Sequence, residues 1–311
     1  MLPDVLGRVA LVGPGAVGGF YGGMLAKSGV DLNFLFRSSY SEVCQKGLWL
    51  VHHAGGHRQE RVEPLKAWRD SEEIGVCDWV IVASKSTVNG QLSKTLSPLV
   101  GPETCLLTLQ NGMGNAENLA GCFGSGRIIL AGLCFTCINR TKPNRVESLL
   151  PGYVQFGQLG GSLSVEAERM VSAFKGAGIK VKRAHSLDEV LWRKLCWNIP
   201  FNGLAVAAGG ITTDLILDSS DLRSRALALM QEIQLAAQSY GIVIDDSFLE
   251  DQFSLTKPMG AYKPSSLIDY LEGKPIEIES IWGEPLRRGL KQGVSMIELQ
   301  KLYDDLRSLK S

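Results

Sequence analysis

The sequence predicts an α/β chain, with a region of alternating strands and helices followed by a mostly helical region. Two observations predict it. Up to Arg183, short apolar runs alternate with helix-like stretches, the pattern of βαβ units on a parallel sheet. From Leu187 onward, apolar residues recur at threes and fours instead. The boundary falls after the last β-like run, dividing the chain into residues 1–185 and residues 186–311.

In the first region, residues 8–12 read as a strand and residues 16–28 as the helix after it. Residues 31–36, 79–83, 104–109, 128–138 and 153–156 read as further strands. In the second region residues 221–240 are the clearest helix, with Leu222, Ala226, Leu229, Ile233 and Ala236 or Ala237 on one face. Residues 265–271 and 296–309 continue the pattern.

Composition narrows the function classes. Lys plus Arg equals Asp plus Glu at 32 each, so no excess of basic charge draws the chain to nucleic acid. The longest apolar candidate, residues 128–138, falls short of the ~18 residues of a membrane span. Asp4 and Arg8 interrupt the start of the chain, which does not read as a secretory signal. The seven cysteines are scattered, as in a reduced, cytoplasmic protein. Cys134 and Cys137 have redox-motif spacing, but they lie in a β-like run without the helix N-terminus that activates such a pair.

The first strand runs into Gly13-Pro14-Gly15-Ala16-Val17-Gly18. A G-x-G-x-x-G sequence between a strand and a helix is the fingerprint of a Rossmann-like dinucleotide-binding unit. The first glycine permits the turn, the second lets a pyrophosphate approach the backbone, and the third allows close helix–strand packing. The helix N-terminus adds free N–H groups and partial positive charge. The second strand then discriminates between cofactors. Where NAD enzymes carry an acid for the ribose hydroxyls, this sequence has Arg37-Ser38-Ser39. A guanidinium clamps a 2′-phosphate and a carboxylate would repel it. The expected cofactor is therefore NADP(H), with Arg37 on the 2′-phosphate.

Lys194, Asn198 and Asn202 are spaced by four and four within the apolar residues 191–208. On a helix such steps keep all three on one slowly drifting face. A cation and two amides in such a segment call for a polar partner. Pro200, between them, predicts a kink or break.

Together these residues resemble the ketopantoate reductase (2-dehydropantoate 2-reductase) family along nearly the whole chain. The resemblance rests on the glycine loop, on Lys85 after a strand and on Gln110-Asn111-Gly112-Met113-Gly114. It continues through Trp192-Arg193-Lys194-Leu195 with Asn198 and Asn202, then Ser265-Ser266 and Ile276-Glu277-Ile278-Glu279. It implies NADPH-dependent reduction of 2-dehydropantoate to pantoate, on the path to pantothenate. Lys194 then matches the catalytic lysine and Glu277 the glutamate near it. Asn111 matches the asparagine beside the nicotinamide ribose, Lys85 a lysine near the cofactor, and Asn198, Asn202 and Ser266 the substrate contacts.

Thr212 and Lys263 stand where the family commonly has asparagines, which leaves another 2-keto acid open as substrate. A non-catalytic NADP(H) sensor would need the loop but not the lysine, amides and glutamate. Glu277 and Glu279, alternating with isoleucines, also fit the solvated face of a strand or helix end. His52, His53 and His57 admit a metal, but without ligand-spaced acids nearby a polar hairpin loop is the better account, and the chemistry calls for none. A homodimer is open, since no feature fixes the oligomeric state.

Overall fold

The structure, a computed structural model, describes residues 6–309. Asp4, used above against a secretory signal, lies outside the described residues. Two compact units form. One comprises the chain up to Asn111 together with Asn115–Leu187, and the other comprises Gly112–Gly114 together with the chain from Asp188.

The first unit is built on ten strands. In chain order its elements are β1 (Val9–Val12), α1 (Ala16–Lys27), β2 (Leu32–Leu35), α2 (Tyr40–Lys46), β3 (Trp49–His52), β4 (Arg58–Arg61), β5 (Lys66–Trp68), α3 (Ser71–Ile74), β6 (Cys77–Val82), α4 (Asn89–Leu96), β7 (Val100–Thr108), α5 (Asn115–Phe123), β8 (Ile129–Lys142), β9 (Arg145–Gln158), α6 (Val165–Gly176) and β10 (Val181–Arg183). The sheet order is β4-β3-β9-β8-β7-β6-β1-β2-β5, with β10 also on β9. From β5 to β8 all neighbours are parallel. All four residues of β1 are buried, as in a strand covered on both faces. Val9 and Leu11 meet Phe20, Tyr21 and Leu25 of α1 and Met170 and Phe174 of α6 in one core.

The sheet departs from an all-parallel reading at β8. There the chain turns back as a long hairpin and β9 runs antiparallel to β8. On its other edge β9 carries β3 along Arg145–Ser148 and β10 along Val154–Phe156. A two-residue connection between β8 and β9 admits only antiparallel pairing, because a parallel one needs a crossover of a dozen or more residues.

The second unit is helical: α7 (Leu187–Ala207), α8 (Thr213–Asp218), α9 (Ser220–Ser239), α10 (Asp246–Thr256), α11 (Ser265–Leu271), a widened π turn (Glu279–Gly283), α12 (Glu284–Lys291) and α13 (Ile297–Ser308). Ala226, Leu229, Ile233, Ala236 and Ala237 of α9 are buried, and Leu222 is half-buried. Glu232 of α9 accepts hydrogen bonds from the N–H groups of Glu298 and Leu299, each at 2.8 Å. A carboxylate so placed satisfies two of the orphan donors at the start of α13. Among the described residues, no helix is long and apolar enough to cross a membrane.

Candidate functional site

In the first unit, β1, β2 and β6 end together: Val12 lies opposite both Leu35 and Val82. Three loops therefore leave the sheet side by side at its carboxyl end, where α/β sheets bind ligands. The first is the glycine loop. Gly13 has φ +80°, and a Cβ there would lie 2.4 Å from the Ser84 nitrogen. A Cβ on Gly18 would lie 2.7 Å from both Ala83 Cβ and the Gly13 carbonyl oxygen, so α1 starts where only glycine fits. Gly15 is different, because the one heavy atom near its missing Cβ is Gly13 O at 3.9 Å.

The second loop carries Arg37, exposed, two residues beyond β2. The acid of this strand, Asp31, stands before its start and pairs with Lys66 at 2.8 Å. The third loop follows β6. Ser84 lies against Gly13, and exposed Lys85 comes next.

A dinucleotide fits this end of the sheet. No side chain caps the start of α1 and no acid stands in its first turn, which leaves its N–H groups and dipole to an anion. The space where a Gly15 side chain would stand is open. The buried hydroxyl of Ser84 has no hydrogen-bond partner among the described residues. Sequence reading passed over Ser84, although its place between an apolar strand and Lys85 was a signal.

Asn111 follows β7 at the same end of the sheet, in a turn whose next residue, Gly112, has φ +86°. The Asn111 carbonyl accepts from Asn115 Nδ2 at 2.9 Å.

In the second unit, α7 runs from Leu187 to Ala207 with Pro200 inside it, so of the kink or break expected at the proline, the break does not occur. Packing holds the helix: Trp192, Cys196, Ile199, Phe201 and Leu204 are all 0–1% exposed. Beside the proline, the carbonyl of Ile199 accepts from Trp282 Nε1 at 3.0 Å. Gly203, one turn on, leaves room for that indole, since a Cβ there would lie 2.8 Å from Nε1. Lys194, Asn198 and Asn202 thus share one face, with the lysine half-buried and the amides 6% and 1% exposed. Burial pushes the Cys196 thiol up to about 12, which leaves it inert as a nucleophile.

Asn202 Oδ1 accepts from Ser266 N at 3.0 Å and from Ser265 Oγ at 3.4 Å. This side chain joins α7 to the start of α11, a helix that no side chain of its own caps. Ser266 is 2% exposed there. The two glutamates that alternate with isoleucines are separated by the fold. Glu277 is buried at 4% exposure, one helical turn before Ile281, whose N–H bonds its carbonyl. Glu279 is exposed and binds Arg287 at 2.8 Å and Tyr303 at 2.8 Å. The π turn Glu279–Gly283 docks this segment on α7 through the Trp282 indole. Thr212 and Lys263 flank another bond, from Thr213 N to Tyr262 O at 3.1 Å, so these residues occupy neighbouring stretches of backbone.

The histidines belong to the β3–β4 hairpin. Carboxylates from neighbouring strands bond two of them: His52 bonds Glu60 at 2.7 Å and His53 bonds Glu147 at 2.9 Å. These acids come from β4 and β9, across the sheet.

Residues 9–161 match the family model described as "Ketopantoate reductase PanE/ApbA", and residues 186–310 its C-terminal counterpart. The chain is 35% identical to the 2-dehydropantoate 2-reductase of Nostoc sp., over 97% of this chain and 95% of that protein. Its structure is similar to the crystal structure of 2-dehydropantoate 2-reductase from Geobacter metallireducens, with TM-score 0.91 and 36% identity over 97% of this chain and 99% of that one. The fold is shared more widely. D-mandelate dehydrogenase, solved with NADH and anilino(oxo)acetate, superposes with TM-score 0.87 at 20% identity, over 97% of this chain and 98% of that one. With both parts of the chain matched by one family's models, the protein belongs to the ketopantoate reductase family.

Proposed function

We propose that this protein reduces 2-dehydropantoate to pantoate with NADPH. The observation that carries the reading is one face of α7, which sets an amine and two buried amides in a largely apolar stretch of the helix. Such groups are costly in an apolar segment unless they meet polar partners, and a 2-keto acid supplies groups that an amine and amides can bind. A non-catalytic NADP(H) sensor needs no such face.

The loop from Gly13 through Pro14, Ala16 and Val17 to Gly18 receives the pyrophosphate on the start of α1. Arg37 binds the 2′-phosphate, and Lys85 and Asn111 hold the nicotinamide end. When bound, NADPH supplies the hydride that reduces the ketone carbon. The ammonium of Lys194 donates a hydrogen bond to the ketone oxygen, stabilises the negative charge that develops there and gives up the proton that completes the alcohol. The buried carboxylate of Glu277 favours the charged lysine and orients it. Asn198 and Ser266 bind the polar groups of the substrate. Asn202 spends its oxygen on Ser266 and offers its amide N–H groups to the substrate. The cytoplasm, where free cysteines stay reduced, is the expected location.

A second reading, reduction of a different 2-keto acid, is favoured by Thr212 and Lys263. Their proximity alters two family positions at one place. NADPH oxidation by purified protein with a panel of 2-keto acids tests both. The highest kcat/KM is expected with 2-dehydropantoate. Tight NADPH binding without turnover of any keto acid would refute the reductase reading.

A further inference from the structure

Four side chains at the carboxyl end of β6 and β7 form a one-way hydrogen-bond chain that ends on Asn111. Thr108 begins it: its oxygen accepts from Gln110 N at 3.2 Å and its hydroxyl donates to Gln110 Oε1 at 3.1 Å. Gln110 Nε2 donates to Asn89 Oδ1 at 2.8 Å. Asn89 Nδ2 donates to Asn115 Oδ1 at 3.0 Å, and Asn115 Nδ2 donates to the main-chain oxygen of Asn111 at 2.9 Å. Every amide accepts through oxygen and donates through nitrogen. Each link therefore fixes the orientation of the next, and an amide turned over anywhere would set oxygen against oxygen at its neighbour.

The chain ties Asn89, at the start of α4, to three points between the end of β7 and the start of α5. Thr108 is the last residue of β7, Asn89 and Asn115 are the first residues of α4 and α5, and Asn111 lies in the turn between β7 and α5. Thr108 and Asn115 are 3% and 4% exposed, so water competes poorly for them. A turn with a positive-φ glycine at its next position has several backbone conformations available. An external tie on the Asn111 carbonyl selects one of them.

We infer that Asn89, Gln110 and Asn115 are positioning residues, a relay that sets the direction of the Asn111 peptide and with it the Asn111 side chain. The inference rests on the reading of Asn111 as a contact to the nicotinamide ribose. Its function is orientation of the reacting end of the cofactor, while affinity comes from the glycine loop and Arg37.

The test has two arms. In cofactor-free protein, amide hydrogen exchange over residues 109–115 is expected to quicken several-fold in Asn89→Leu and in Gln110→Met, with β1 and β6 unchanged. Both replaced side chains are only partly buried, so at least one variant is expected to fold. In the second arm, kcat with NADPH and 2-dehydropantoate falls about 10-fold or more, while NADPH affinity stays within about threefold. Combining Asn89→Leu with Asn111→Ala then costs no more than Asn111→Ala alone, because both act through one group. Unchanged exchange, or additive losses in the double variant, would overturn the relay. Faster exchange in the variants, together with a wild type that turns over no keto acid, supports the tie on the turn and removes the reductase reading instead.

Discussion

Two glycines of one loop should fail in opposite ways when each gains a methyl group. At Gly18 the new Cβ would lie 2.7 Å from Ala83 Cβ and 2.7 Å from Gly13 O, with Leu11 Cδ2 at 3.3 Å. Carbon atoms in contact sit about 3.5–4.0 Å apart, so the start of α1 must move by about 1 Å from β1 and β6. Overpacking of that size costs about 2 kcal/mol, or about 4–8 °C in Tm. At Gly15 the nearest atom is 3.9 Å away, an ordinary contact, so Gly15→Ala should fold with Tm unchanged within about 2 °C. Its methyl group instead occupies the approach to the N–H groups of α1. Losing two hydrogen bonds to a charged group, at about 1.5 kcal/mol each, weakens NADPH about 100-fold. Thermal melts and NADPH fluorescence titration of both variants check this contrast. Full NADPH affinity in Gly15→Ala would refute the assignment of the loop, whatever happened to Gly18→Ala.

Arg37→Ala should raise KM for NADPH at least about tenfold and leave that for NADH nearly unchanged, because only the 2′-phosphate loses its charged partner; equal effects on both cofactors would remove the assignment. Lys194→Ala should lower kcat by about 10²-fold or more in steady-state assays at saturating substrate; unchanged kcat would show that another group is the acid. Glu147 is held down to about 2 by Arg145 first, then by His53 and Thr141. Its depressed folded-state value means that the stabilisation is present above the ordinary carboxylate value and is lost as pH falls towards about 2. Glu147→Gln should therefore flatten the acid side of a Tm-against-pH curve in that window, and a curve parallel to wild type would contradict it.

Local pattern carried much of this structure. The strand–glycine–helix sequence at residues 9–27 is legible because each glycine answers a short-range steric demand, and the structure shows what a Cβ would strike at Gly13 and Gly18. The apolar spacing of α9 is legible because a helix buries one stripe. The all-parallel reading failed at β8–β9 and at β3–β4, since apolar content marks a strand without giving its direction. The helix continues through Pro200 because a lost hydrogen bond is a local cost, whereas the burial of α7 around it is a tertiary gain.

The candidate site divides in the same way. By itself the sequence determined the glycine loop, the arginine in place of an acid after β2, and the common face of Lys194, Asn198 and Asn202. All are set by spacings within one element or its flanks. Only the tertiary structure decided that Glu277 is buried while Glu279 is exposed. It alone decided that Asn202 reaches 64 residues along the chain to Ser266, that His53 meets Glu147 across 94, and that Asn89 links Gln110 to Asn115, which bonds the Asn111 carbonyl. Burial and hydrogen-bond partnership depend on which distant segments the core brings together, and no local periodicity encodes that choice.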